Sequence, residues 1–269
     1  FFGQLLLTFC KVHWRELMPS PWHGWLLLFQ IVSSCALAAL LIFVPMGGSY
    51  REVFEAAMVC LICPTATAAA VITGKLGGSA SSLTTYTLLS NILAAVAVPL
   101  IFPLVEPHTD VTFFTAFLKI LSKVFPLLLF PFFLALFFRY CLPKIHHFLL
   151  GFHDLAFYMW GMALAIVTAQ TVKSLAHSTI PVEVEILIAL AGFVTCALQF
   201  FLGKRIGTIY KDRISAGQAL GQKNTVLAIW MSYTYLDPVS SVGPGSYVLW
   251  QNIFNSWQLW KKRKNDSKM

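Results

Sequence analysis

Charge is what this sequence has least of. Acidic and basic residues make up 11% of its 269 residues, against about 25% in a soluble domain. Hydrophobic residues make up 58%. A chain so poor in charge cannot cover a water-facing surface, which excludes a soluble globular domain. The charge that is present is unbalanced, with 19 Lys and Arg against 11 Asp and Glu. A basic excess can mark a nucleic-acid partner. Here the basic residues lie between apolar runs and in one tail, not on a face, so nucleic acid is excluded.

Catalytic constellations are also missing. No Ser-His-Asp set, phosphate loop or metal-spaced His cluster is present, and no cofactor or enzyme activity is expected. Six Cys are scattered, and only Cys60 and Cys63 have C-x-x-C spacing. A redox or metal pair needs a polar, accessible setting. This pair sits in an apolar stretch and reads as small buried hydrophobes. His146 and His147 fall in a basic loop and read as solvated. The chain opens at Phe1 inside an apolar run, with no signal-peptide pattern. We expect the natural protein to carry a further N-terminal part.

What the sequence has is long apolar runs. They cover residues 1–10, 22–44, 54–72, 83–103, 121–138, 155–171, 184–201, 216–235 and 247–260. A membrane helix needs roughly 20 such residues. The first run is too short to span alone, and the rest are candidate transmembrane helices. The expected fold is an all-α membrane protein, one transmembrane domain over residues 1–269. Trp250, Trp257 and Trp260 read as packing and interface anchors, and Lys119 and Lys123 as outer-interface residues.

Lys and Arg in the loops set the orientation. With the basic tail at 261–269 placed inside, the segment with Lys204, Arg205, Lys211 and Arg213 is inside too. So are those with Arg139 and Lys144, with Lys75, and with Lys11 and Arg15. The alternate segments carry only Lys173, Lys119 and Arg51. The Lys75 loop is no richer than its neighbours, but the bias keeps its sign overall. The expected location is a bacterial inner membrane, with the C-terminus cytoplasmic.

Two runs are unlike plain lipid-facing helices. Residues 54–72 contain Pro64, Thr65 and Thr67, and Thr73 follows. Residues 216–235 contain Gly217, Gln218, Gly221, Gln222, Lys223 and Asn224. Irregular polar backbone at membrane depth survives only when buried in protein or lining a cavity. Paired interrupted helices, one in each half of a chain, are the best sequence pointer to a transporter site.

Lys223 is the most informative residue. An ammonium at mid-membrane costs at least about 2.5–3.5 kcal/mol. Gln222 and Asn224 are the candidate hydrogen-bond partners. A snorkelling Lys at the interface is the bland alternative. About 15 Å of helix separates Lys223 from Arg213, too far for easy snorkelling. We favour a buried, functional Lys, able to exchange a proton during transport. After Pro64, a half-helix could aim amide N–H groups at the midplane, with Thr67 as cap. A kinked helix packing its Ala residues serves equally well. Gln30, Asn91, Gln251 and Asn252 read first as hydrogen-bonding glue between helices.

At the two interrupted segments the chain resembles the bile acid:sodium symporter family. Cys63-Pro64-Thr65-Ala66-Thr67-Ala68-Ala69-Ala70-Val71-Ile72-Thr73 is similar to Cys-Pro-Gly-Gly-Thr-Ala-Ser-Asn-Val-Met-Thr. Ala219-Leu220-Gly221-Gln222-Lys223-Asn224 is similar to Glu-Val-Gly-Met-Gln-Asn. Val242-Gly243-Pro244-Gly245 and Leu249-Trp250-Gln251-Asn252-Ile253 follow in register with Val-Pro-Gly and Val-Trp-His-Asn-Ile. The resemblance implies ten helices in two inverted repeats, of which this chain lacks the first. Core helices would lie at about 54–103 and 184–235, with the rest as panel helices. The two interrupted helices would cross in the core.

The resemblance also implies a departure. The family's sodium-binding Ser and Asn fall on Ala69 and Ala70, its Glu on Ala219 and its Gln on Lys223. Gln30 falls near a further sodium-site Gln and joins Lys223 as an expected ion-coupling residue. The substrate-contacting half-helix starts are kept. They place anion contacts at Thr67 and Ala68 and at Asn224 and Thr225, with Gln251 contributing. The expected function is sodium-independent secondary transport of a small organic anion by alternating access, linked to protons through Lys223. A non-transporting membrane sensor or scaffold with the same fold is the alternative.

Overall fold

The structure is a computed structural model. It describes residues 2–10, 17–46, 50–66, 68–106, 112–152 and 181–267, with scattered positions between 155 and 177. Helices account for almost all of it, as the hydropathy demands. In chain order they are α1 (Phe2–Cys10), α2 (Pro21–Phe43), α3 (Arg51–Ile62), α4 (Ala69–Leu76) and α5 (Ala80–Val105). α6 (Phe113–Cys141), α7 (Pro143–Leu150), α8 (Val182–Ile209), α9 (Arg213–Gly221) and α10 (Thr225–Tyr235) follow. A 3-10 turn (Pro238–Ser241) leads into α11 (Val242–Asp266).

Helices α2, α5, α6 and α8 are long and apolar enough to cross a membrane. They leave large apolar side chains exposed, among them Val32, Phe130, Phe133, Val194 and Phe201. Water would reject that surface and lipid would accept it. The chain is an integral membrane protein built as a helical bundle. The apolar runs 54–72 and 216–235 are each divided into two short helices, α3 with α4 and α9 with α10. The run 155–171 falls largely outside the described residues, although its described positions are helical.

Small residues bring the helices into contact. A Cβ added at Gly203 would meet the Ala216 carbonyl oxygen at 2.5 Å, and one at Gly207 would meet the Ala216 Cβ at 2.6 Å. Only glycine lets the α8 backbone lie this close to α9. Gly77 closes α4 with φ +87°, and its N–H donates to the Gly74 carbonyl at 3.0 Å. That left-handed residue turns the chain sharply into α5, where the Ser79 hydroxyl accepts from Ser82 N.

Segments expected on the same side of the membrane meet. Lys262 Nζ donates to the Lys75 carbonyl at 3.0 Å, and the His146 ring pairs with the Cys10 carbonyl at 3.0 Å. At the other end, Arg51 pairs with Glu55 and Glu106, each at 3.1 Å. Asp237 N donates to Glu55 there. His146 therefore corrects the expectation of a solvated residue. It is buried, because α7 folds back and its ring answers the free carbonyl at the end of α1.

Candidate functional site

The first interrupted helix stops for a backbone reason. Pro64 has no N–H, so the Cys60 carbonyl loses the partner that a continuing helix would supply. In the second, α9 ends at Gly221 and Gln222 is extended, at φ −93° and ψ 105°. The two breaks lie against each other. Thr65 and Lys223 form an isolated antiparallel bridge. Asn224 N donates to the Pro64 carbonyl at 2.8 Å, and Ala66 N to the Gln222 carbonyl at 2.9 Å. The interrupted helices thus cross at their breaks, joined by main-chain hydrogen bonds.

A helix end leaves up to four carbonyls unpaired, and their burial is costly. At the end of α3 each finds a partner from another segment of the chain. The Cys60 carbonyl accepts from Gln199 Nε2 of α8 at 3.2 Å. The Leu61 carbonyl accepts from Lys223 Nζ at 3.2 Å. The Ile62 and Cys63 carbonyls accept from Gln30 Nε2 of α2, at 2.8 and 3.3 Å. The end of α9 is served similarly. The Ala219 carbonyl accepts from Thr65 Oγ1 at 2.7 Å, and the Gly221 carbonyl from the Tyr247 hydroxyl at 2.8 Å.

These bonds are reciprocal. Leu61 lies four residues before Thr65, and Ala219 four residues before Lys223. Each bridge residue therefore caps the carbonyl that its partner's N–H would have bound in an unbroken helix. The displaced N–H groups are matched as well. Thr65 N donates to Ser90 Oγ of α5 at 3.2 Å, and Lys223 N to Gln251 Oε1 of α11 at 3.0 Å. One turn before Ser90, the Tyr86 hydroxyl holds Gln30 Oε1 at 3.1 Å. One turn before Gln251, the Tyr247 hydroxyl accepts from Gln199 Nε2 at 3.1 Å.

Lys223 is 1% exposed. The expectation that Gln222 and Asn224 hold its ammonium is corrected. Gln222 Nε2 turns instead to Gln218 and Asn255, and Asn224 caps α10 by accepting from Leu227 N at 3.3 Å. The extended backbone at the break points successive side chains to opposite faces, so Lys223 faces the end of α3 alone. The negative end of the α3 dipole favours a cation there, by roughly 0.3–1 kcal/mol at an exposed site and more when buried. The ion pairs found among the described residues are those of Arg51. Lys223 thus sits at the crossing without a carboxylate partner among them.

The expected site residues Gln30, Lys223, Asn224, Thr225 and Gln251 are all buried, and four of them are bonded into the crossing, Asn224 through its backbone N–H. Thr225 opens α10 beside Asn224. Ala68 opens α4 and is exposed. Thr67 lies outside the described residues. Asn91, read as glue, is buried with neither amide atom hydrogen-bonded, and Asn252 is exposed. The Asn224 Nδ2 donor is also buried and unpaired. The expected site residues do not include Thr65, named only as a polar residue of its run, nor Ser90, Gln199 and Tyr247. Gln199 carries the same signal as Gln30, a carboxamide in an apolar run. Cys60 and Cys63 are free thiols and fully buried, as their apolar setting implies.

The sodium bile acid symporter family matches residues 5–178, well over half of the 269. The chain belongs to this family. The match takes in the first break, while the second, at 222–224, lies beyond it. No curated protein matches the chain. It is a membrane protein of a transporter family. Among the described residues, no group of three or more His, Cys, Asp or Glu side chains is placed to hold a metal ion.

Proposed function

We propose that this protein is a secondary transporter that moves a small organic anion by alternating access, without sodium. One observation carries the reading: a buried ammonium, Lys223, bound at the crossing of two interrupted helices to the carbonyl end of α3. Carbonyls at a half-helix end are the ligands that a transporter offers a coupling cation. Lys223 would fill that role with a tethered charge. Ala69, Ala70 and Ala219 replace the oxygen-bearing residues that the family resemblance assigns to sodium.

The reading extends to the substrate. An ammonium without a carboxylate partner favours an anion close by. The starts of α4 and α10 would offer amide N–H groups and a positive dipole end to it. Asn224, with its unpaired Nδ2 donor, would contact it, together with Thr67, Ala68, Thr225 and Gln251. Gln30 would hold the α3 end in place beside Lys223. Loss of the Lys223 proton in one state of the cycle would link transport to protons. The reciprocal bonds at the two breaks fit two inverted repeats within a ten-helix protein. The setting would be a bacterial inner membrane.

Uptake into proteoliposomes from a panel of organic acids, with sodium and pH gradients imposed separately, tests this. Accumulation driven by a pH gradient in sodium-free buffer is expected. No uptake of any acid under either gradient would favour a non-transporting scaffold or sensor instead.

A further inference from the structure

Cations from three helices converge at the end of the bundle that holds the C-terminal tail. Lys204 belongs to the last turns of α8, and its stem lies across Gly217, where an added Cβ would meet Lys204 Cγ at 2.6 Å. Gly217 lies one turn after Arg213 at the start of α9, and the Phe200 and Phe254 rings, 5.4 Å apart, hold this end of α8 alongside the helix that carries Lys261, so the three cations repel one another. No ion pair relieves this repulsion among the described residues, where the pairs found belong to Arg51 at the opposite end. The acids nearest in sequence are Asp212, beside Arg213, and Asp266 near the end of α11.

The depth of the cluster is fixed by its neighbours. α8 is an apolar helix of 28 residues, and Lys204 lies close to its end. In α11, Lys261 Nζ stands 5.3 Å from the Trp257 ring and Lys264 Nζ 5.2 Å from the Trp260 ring. Both indoles are more than half exposed or at that limit, at 50% and 58%. Exposed Trp beside Lys at the end of an apolar helix marks the headgroup level of a bilayer. Lys204 Nζ is also 6.0 Å from the Phe200 ring, which keeps the ammonium at the apolar edge.

We propose that Lys204, Arg213 and Lys261 form a binding site for the phosphate of an anionic glycerophospholipid, whose acyl chains lie along α8 and α11. The phosphate relieves the repulsion among the three cations, and the exposed faces of Trp257 and Trp260 flank the glycerol region. Each basic residue near an anionic surface strengthens binding by roughly fivefold. Three together give a preference on the order of a hundredfold over a zwitterionic lipid.

The test is lipid retention and thermal melting of the purified full chain in neutral detergent. Phosphatidylglycerol, phosphatidylcholine and inorganic phosphate are added separately. Phosphatidylglycerol is expected to be retained and to raise the melting temperature, while the other two do neither. The variant with Lys204→Gln, Arg213→Gln and Lys261→Gln should lose the preference. Lys119→Gln with Lys123→Gln should keep it. Should the triple variant fail to fold, Lys261→Gln alone must still weaken retention about fivefold. Equal retention of both lipids, an unchanged preference in these variants, or equal stabilisation by inorganic phosphate would overturn the proposal.

Discussion

At the scale of single residues, Lys223 decides between mechanisms. A buried ammonium survives where partners replace its water, and here the partner is the Leu61 carbonyl. Its burial was legible in the sequence, from its place inside an apolar run far from the nearest flanking cation. Its partner was not, because Leu61 lies 162 residues away and a backbone carbonyl leaves no mark on residue type. Lys223→Gln should abolish uptake without creating a sodium response, since Ala219 still supplies no carboxylate. Lys223→Gln with Ala219→Glu, Ala69→Ser and Ala70→Asn should gain measurable sodium binding by calorimetry. The pH dependence has a definite sign. An anion binds the ammonium better than the neutral amine, so binding favours the protonated form. Substrate affinity should fall as pH rises past the point where free Lys223 loses its proton. Affinity that is flat or rising over that range would remove Lys223 from the site.

At the scale of elements, the breaks were legible and their mutual support was not. Pro64 and the polar run through Asn224 announce two interruptions inside apolar spans. The capping set of Thr65, Gln30, Gln199 and Tyr247 comes from four separate segments, which only the folded chain brings together. Hydropathy read Gln30 as glue and passed over Gln199, although both stand in apolar surroundings. Asn91 shows the converse, since its polar character predicted a bond and neither amide atom makes one. Thr65→Val removes the cap on the Ala219 carbonyl without changing side-chain shape. It should cost about 1–3 kcal/mol, read as a lowered melting temperature in detergent. Gln30→Leu strands two carbonyls and should cost more. Thr65→Val and Lys223→Met should be coupled by at least about 0.5 kcal/mol in a double-mutant cycle, because each caps the other's half-helix. Strict additivity would show that the two caps act independently.

At the scale of the whole molecule, the contacts at the two ends separate the segments as their basic residues suggested. Lys75 meets Lys262 and Cys10 meets His146 at one end, where Lys204 packs on Gly217 of α9. Arg51, Glu55, Glu106 and Asp237 gather at the other. The richer basic end should face the cytoplasm. A phosphatase reporter fused after Met269 should be inactive and a cytoplasmic reporter active, and the reverse pattern would invert the topology. The most direct measurement compares initial uptake of an accepted acid into proteoliposomes when external sodium is replaced by choline. An unchanged rate, together with a rate that responds to an imposed pH gradient, is expected of a tethered ammonium at the crossing. Uptake that disappears without sodium would contradict it.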